Sequence, residues 1–310
     1  MSAIETRNLT RQFNGLTAVD NLDLHIEPGT LYGFIGPNGA GKTTTLRLLA
    51  GLLEPTAGDI RLAGEDIRRN PEAARWLVGY MPDFFGVYDD MMVWEYLDFF
   101  ARCYNLPADR RARLVDELLA LVDLGGKRED YVENLSRGMR QRLCLAHTLV
   151  HDPEILLLDE PASGLDPRAR VEMRELLREL QRMGKTIIVS SHILSELAEM
   201  CDQVGIIERG RLLISGSMGE VRRHLHHEKT IRLTVISDVE AARAVLSAYP
   251  GVGEVFDVNS GLEAGFVGDA EATAGLLAHL VQQGVQVTNF TEDTTDLEDL
   301  FLRITKGEVQ

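Results

Sequence analysis

The chain has 310 residues, 48 of them Asp or Glu against 32 Lys or Arg, for a formal net charge of −16. So acidic a balance argues against binding along a nucleic-acid backbone, which calls for basic surface, and the length exceeds one ordinary domain. Cys103, Cys144 and Cys201 are scattered, odd in number and without metal-ligand spacing, as expected of reduced thiols in a cytosolic chain; no stretch reaches the ~18 consecutive apolar residues of a membrane span, and Met1 to Arg7 lack a signal-peptide apolar region.

The chain opens in β-rich sequence, where Phe13 follows Leu9 to Gln12 and precedes Asn14-Gly15, the place of a turn-flanking aromatic. An apolar strand, Leu31 to Ile35, then runs into Gly36-Pro37-Asn38-Gly39-Ala40-Gly41-Lys42-Thr43-Thr44 and a helix from Thr43 to Ala50. This is the G-x-x-x-x-G-K-[ST] phosphate-binding loop in the strand-to-helix context it requires. Backbone N–H groups freed by the glycines curl around phosphates, the helix N-terminus adds its positive dipole end, Lys42 reaches the β and γ oxygens, and the Thr43 hydroxyl can ligate Mg²⁺. The reading is a nucleoside triphosphate site.

Gly79-Tyr80-Met81-Pro82 leads to Asp83, and a helical insertion follows from about Met92 to Leu124, rich in aromatics and Met. Helical core packing accounts for Trp94, Leu97 and Tyr104. Ser136 caps a helix that runs to about Val150; with Gly138 and several arginines in its first turn, the same end suits a phosphate, and capping and ligand binding are compatible there. Glu154 to Leu158 is an apolar run ending in Asp159-Glu160, a buried parallel strand whose C-terminal end is where α/β sheets place ligands. Asp159 would emerge beside the Mg²⁺ and hold a metal-bound water. Glu160, one residue on, is expected to point elsewhere and to serve as general base on the attacking water. Ser163-Gly164-Leu165-Asp166 and, after a strand from Thr186 to Ser190, Ser190-Ser191-His192 complete the series.

In that order these segments resemble the ATP-binding subunit of ABC transporters, over about residues 4 to 220. The resemblance implies a P-loop NTPase ABC cassette, an α/β fold with a RecA-like core, a β subdomain and a helical subdomain, and ATP hydrolysis with Mg²⁺. It implies that Ser136 and Gly138 bind the γ-phosphate of ATP held by an opposite subunit, that His192 touches the same phosphate within its own subunit, and that Asp166 belongs to the nucleotide site. It also implies that Phe13 stacks on adenine, where Tyr is commoner; the residues alone leave a core aromatic open. Two positions depart from the family pattern. Asp83 stands where Gln or Glu is usual, so its contact with Mg²⁺ or the lytic water is expected to be indirect. The signature reads Leu-Ser-Arg-Gly-Met, with Arg137 and Met139 replacing Gly and Gln. Because Ser136, Gly138, Glu160 and His192 stand, a working ATPase is expected.

After about residue 220 the character changes, giving domains at 1–220 and 221–310. The second reads as strand Thr230 to Ile236, helix Val239 to Tyr249, strands near Gly253 to Val258 and Leu262 to Val267, helix Ala270 to Gln283 and strand Val285 to Phe290, a ferredoxin-like β-α-β-β-α-β plan. A last amphipathic helix follows with Leu297, Leu300, Phe301 and Ile304 on one face. His224, His226 and His227, with neither a fourth ligand nor an H-x₃-H spacing, read as solvated linker. The stretch Thr294 to Leu302 is similar to the tail of exporter ATPases of the drug, polysaccharide and nodulation-factor type. The expectation is therefore a head-to-tail dimer around two ATP on the cytoplasmic face of the membrane, partnered by a separate multi-span permease that docks on Phe84 to Tyr88 and Met91 to Tyr104, with export as the direction. The competing class, a soluble relative acting on ribosomes or DNA, usually carries two cassettes or long coiled coils, and this chain has one cassette and no long heptad run.

Overall fold

The computed structural model describes residues 2–293 apart from 85, 87, 226–228, 237 and 259–260. The final helix expected around Leu297, Leu300, Phe301 and Ile304, the tail resemblance, and His226 and His227 lie outside them, as do two residues of the expected Phe84 to Tyr88 docking loop. Among the described residues, contacts define two compact units, one ending at Ser217 and one starting at Met218.

The strand Leu31–Ile35 is buried at every position, as an apolar run must be when neighbours cover both faces of a parallel sheet. It pairs in parallel with Thr186–Ser191 on one side and Gln203–Glu208 on the other. Ile155–Asp159 pairs with Thr186–Ser191, and Val78–Met81 with Ile155–Asp159, again in parallel. Arg211–Ser217 adds an antiparallel edge beside Gln203–Glu208 and makes a sheet of six strands. The phosphate loop, Asp83, Asp159 and His192 all leave the C-terminal ends of these parallel strands, so the topology alone delivers them to one edge.

A second sheet of four strands, Leu16–Ile26, Ile4–Phe13, Ala57–Leu62 and Glu65–Asp66 in that order, is antiparallel. Its inward residues Ile4, Leu22, Leu24 and Ile60 share one core with Leu46 and Leu49 of the helix Lys42–Leu49 and with Tyr32, Phe34 and Leu157 of the first sheet. Phe13 and Leu16 are paired across a two-residue turn in which Asn14 has φ 43° and Gly15 φ 91°. Two consecutive positive φ angles are what a hairpin matched to strand twist needs, and Asn-Gly supplies them cheaply.

The helical insertion holds Val93–Cys103, Ala108–Leu121 and Arg137–Thr148. Val93, Tyr96, Leu97 and Ala101 form its buried stripe, spaced at three and four as an amphipathic helix demands. Leu97 is core as expected, whereas Trp94 and Tyr104 are only half-buried. Tyr96 and Phe100 pack against His147, the latter ring stacked at 3.9 Å.

The second unit begins with the helix Met218–Leu225, which contains Val221. Its strands Lys229–Val235, Val252–Val258, Gly261–Phe266 and Val287–Asp293 and its helices Val239–Ser247 and Ala270–Gln282 follow the β-α-β-β-α-β order. The sheet is antiparallel, in the order Val252–Val258, Gly261–Phe266, Lys229–Val235, Val287–Asp293. Ile231, Leu233, Leu262, Ala264 and Phe266 meet Ala242, Leu246, Leu276 and Leu280 in a core of the unit's own. The last strand starts at Val287 and not at Val285. Gly284 takes φ 83° and the Val285 N–H donates to the Leu280 carbonyl at 3.1 Å, so Val285 is spent on closing the preceding helix.

Candidate functional site

Gly36 and Gly41 show why the loop is built of glycine. A Cβ at Gly36 would lie 2.4 Å from the Ile207 carbonyl oxygen, and one at Gly41, where φ is 106°, would lie 2.4 Å from that of Ala18. The backbone is thereby pressed against its neighbours, and the loop from Pro37 to Thr44 lines the cavity. Lys42 folds back over the loop: its buried Nζ donates to the Gly36 carbonyl at 2.6 Å and the Pro37 carbonyl at 3.3 Å, and stands 3.6 Å from Glu160 Oε1. Burial pushes the Lys42 ammonium below its ordinary pKa, while the charges of Glu160, Asp159 and Asp83 oppose that shift. A phosphate arriving in the cavity would take over part of that support.

Asp159 is buried at the end of its strand. Its Oδ1 accepts from Ser190 Oγ at 2.6 Å, but Oδ2 is buried with no hydrogen-bond partner. A carboxylate oxygen in that condition is costly unless a cation meets it. The residues therefore fit Mg²⁺, which takes few protein ligands and completes its shell with water and phosphate oxygens, so Asp159 and the Thr43 hydroxyl at the head of the helix suffice. Among the described residues no cluster of three or more His, Cys, Asp or Glu forms a metal cage.

Glu160 does not point away from Asp159. It adopts φ 50°, in the left-handed region, its N–H donating to Ser190 Oγ at 3.0 Å, and this turn brings its carboxylate into the same cavity. There it lies 3.0 and 3.1 Å from His192 Nδ1 through its two oxygens. The cavity measures about 400 Å³ and is lined by Pro37 to Thr44 of the loop, by Asp83, Asp159 and Glu160, and by Phe13, Leu16 and Ala18. Phe13 is exposed and so is not a core aromatic.

Three expected residues stand apart from this cavity. Ser136 Oγ accepts from the Met139 N–H at 3.3 Å, capping the helix Arg137–Thr148. Asp166 Oδ1 accepts from the Ala169 N–H at 2.8 Å, capping the helix Pro167–Arg182. Gly138 packs between these two caps, where an added Cβ would lie 3.3 Å from Ala169 Cβ. Arg137 joins them, its Nη2 donating to the Ser163 carbonyl at 3.0 Å. Ser190, fully buried, is named in the Ser190-Ser191-His192 segment but given no role by the sequence, because that role rests on the parallel pairing of Asp159 with Ser190.

A parallel sheet carrying a phosphate loop, with a carboxylate pair at the end of the next strand but one, defines a P-loop nucleotide-hydrolase cassette. The family model described as ABC transporter matches residues 19–163. Nod factor export ATP-binding protein I of Burkholderia lata is 37% identical over 100% of this chain and 99% of its own. The uncharacterized ABC transporter ATP-binding protein YhcH of Bacillus subtilis is 35% identical, also over 100% of this chain and 99% of its own. Among solved structures, an ATP-binding subunit of an ABC transporter superposes with TM-score 0.65 at 28% identity, covering 72% of this chain and 93% of that one. CbiO1 of Clostridium perfringens, part of the transporter complex cbiONQ, gives 0.64 at 28%, covering 72% and 94%. The chain belongs to the ABC transporter ATP-binding family and is an ATPase subunit of a transporter.

Proposed function

We propose that this subunit drives export through a separate multi-span permease, seated on the cytoplasmic face of the cell membrane, as a dimer that closes head to tail on two Mg-ATP. The observation that carries the dimer is the separation within one chain: Ser136, Gly138 and Asp166 form a capped face of their own, outside the cavity that holds Lys42, Asp159 and Glu160. A second copy would bring that face to the phosphates. Export follows the name of the relatives, Nod factor export ATP-binding protein I. Among the described residues no helix is long and apolar enough to cross a membrane. Phe84, 92% exposed, and the exposed Trp76, Tyr88 and Phe99 offer an apolar surface for a membrane partner.

In this reading the loop amides and Lys42 hold the β- and γ-phosphates, and Phe13 stacks on the base. Mg²⁺ held by Thr43 and Asp159, with Asp83 nearby, would neutralise phosphate charge when bound. Glu160 takes the proton of the attacking water, and His192, hydrogen-bonded to it, orients that carboxylate and reaches the γ-phosphate. Glu160→Gln is expected to keep ATP binding, slow hydrolysis by ~10² or more and accumulate an ATP-bound dimer; Gly138→Asp added to it sets a carboxylate against the phosphate and should abolish that dimer while the monomer still binds ATP. Hydrolysis at the wild-type rate by Glu160→Gln removes its role as base, and dimerisation of the double variant removes the head-to-tail arrangement.

A further inference from the structure

Phe13 sits at a hairpin tip with 38% of its surface exposed, so the core does not hold its ring. Arg11 does. Its guanidinium carbon lies 4.5 Å from the ring centroid, well inside the range of a cation–π contact. The strand register shifts between Arg11 and Gln12, a bulge of the kind that re-aims side chains. Arg11 is anchored in turn, its Nη1 donating to the Glu54 carbonyl at 2.7 Å in the connection that follows the phosphate-loop helix. Its Nε is buried without a hydrogen-bond partner. A guanidinium N–H left unpaired costs free energy, so hydrogen bonding alone does not explain this pose, and the ring contact does.

We propose that Arg11 is a positioning residue for the nucleobase: it clamps one face of Phe13 and leaves the other to stack on adenine. The inference rests on the reading of Phe13 as the stacking platform. Two physical effects act together. Fixing the ring before ligand arrives removes an ordering cost from binding. A cation on one face draws π density toward itself and makes the opposite face a better partner for an electron-rich purine.

The test compares binding of ATP and of inorganic tripolyphosphate to the full-length protein by titration calorimetry. Arg11→Gln is expected to weaken ATP by roughly threefold, the size of a partly exposed cation–π contact, to leave tripolyphosphate unchanged, and to be rescued by Arg11→Lys. Phe13→Ala should weaken ATP at least as much, and the double variant should be no worse than Phe13→Ala alone. Equal losses for ATP and tripolyphosphate, or a loss for Arg11→Gln that adds fully to that of Phe13→Ala, would overturn the clamp. If Phe13→Ala binds ATP normally, the stacking reading itself fails; if it weakens ATP and Arg11→Gln does not, only the clamp fails.

Discussion

One buried hydroxyl holds two functional residues, which makes Ser190→Ala the sharpest test of the site. Ser190 Oγ donates to Asp159 Oδ1 at 2.6 Å and accepts from the Glu160 N–H at 3.0 Å. Its loss leaves Asp159 without either hydrogen bond, since Oδ2 already lacks one. A hydrogen bond to a buried charge and an orphaned N–H together amount to about 2–4 kcal/mol of stability. The assay is urea unfolding of the nucleotide-free full-length chain, scored on the transition that ATP shifts, because two compact units need not melt together. Glu160 also loses the partner that holds it at φ 50°, a conformation costing about 1–2 kcal/mol, so its carboxylate relaxes out of the cavity. A fall in kcat of roughly tenfold, equivalent to about 1.4 kcal/mol, is expected, with ATP affinity nearly unchanged because the loop and the bonds of Lys42 to the Gly36 and Pro37 carbonyls remain. A destabilisation under about 0.5 kcal/mol, the scatter of ordinary surface substitutions, together with an unchanged kcat would refute the reasoning.

Gly36→Ala puts a methyl 2.4 Å from the Ile207 carbonyl oxygen, with Ala40 Cβ and Ile207 Cγ2 both at 2.9 Å; the loop must move, and nucleotide titration should show a large loss of affinity with about 1–3 kcal/mol of destabilisation. Burial, helped by nearby His151, pushes His147 down to about 4 from 6.5. Between those values the unfolded chain binds a proton that the folded one does not, so the stability of neutral His147 is complete above pH 6.5 and lost as pH falls toward 4; His147→Gln should flatten that acid limb of the stability curve, by on the order of 3 kcal/mol. Asp83→Ala is expected to blunt the response of the ATPase rate to the membrane partner more than it weakens ATP binding, measured in reconstituted vesicles; equal losses would reduce Asp83 to a structural neighbour of Lys42.

The phosphate loop, Asp159 and the parallel strands were legible because each is local: glycine spacing, an apolar run, a carboxylate at its end. Glu160 was found by adjacency, but its heading was misread, since a left-handed residue reverses the alternation that a strand would impose. Ser190 acts through Asp159, 31 residues away in sequence, and Arg11 is anchored on the Glu54 carbonyl, 43 residues away, and no window of sequence displays that. The late start of the last strand has the same origin: Val285 is apolar and β-branched, and only the cap formed at Gly284 shows that the helix claims it.

The strand order of the six-stranded sheet has a consequence for how the chain is made. Thr186–Ser191 lies between Leu31–Ile35 and Ile155–Asp159 and pairs with both. On the ribosome those two neighbours emerge first and must wait, each with an edge of unpaired backbone N–H and C=O groups and mostly apolar side chains, for the strand that separates them. Closure is a late, non-local insertion, and such steps are slow. Nascent chains arrested before residue 186 should therefore carry the phosphate loop yet bind chaperones and not nucleotide, and synthesis past Ser191 should convert one state into the other.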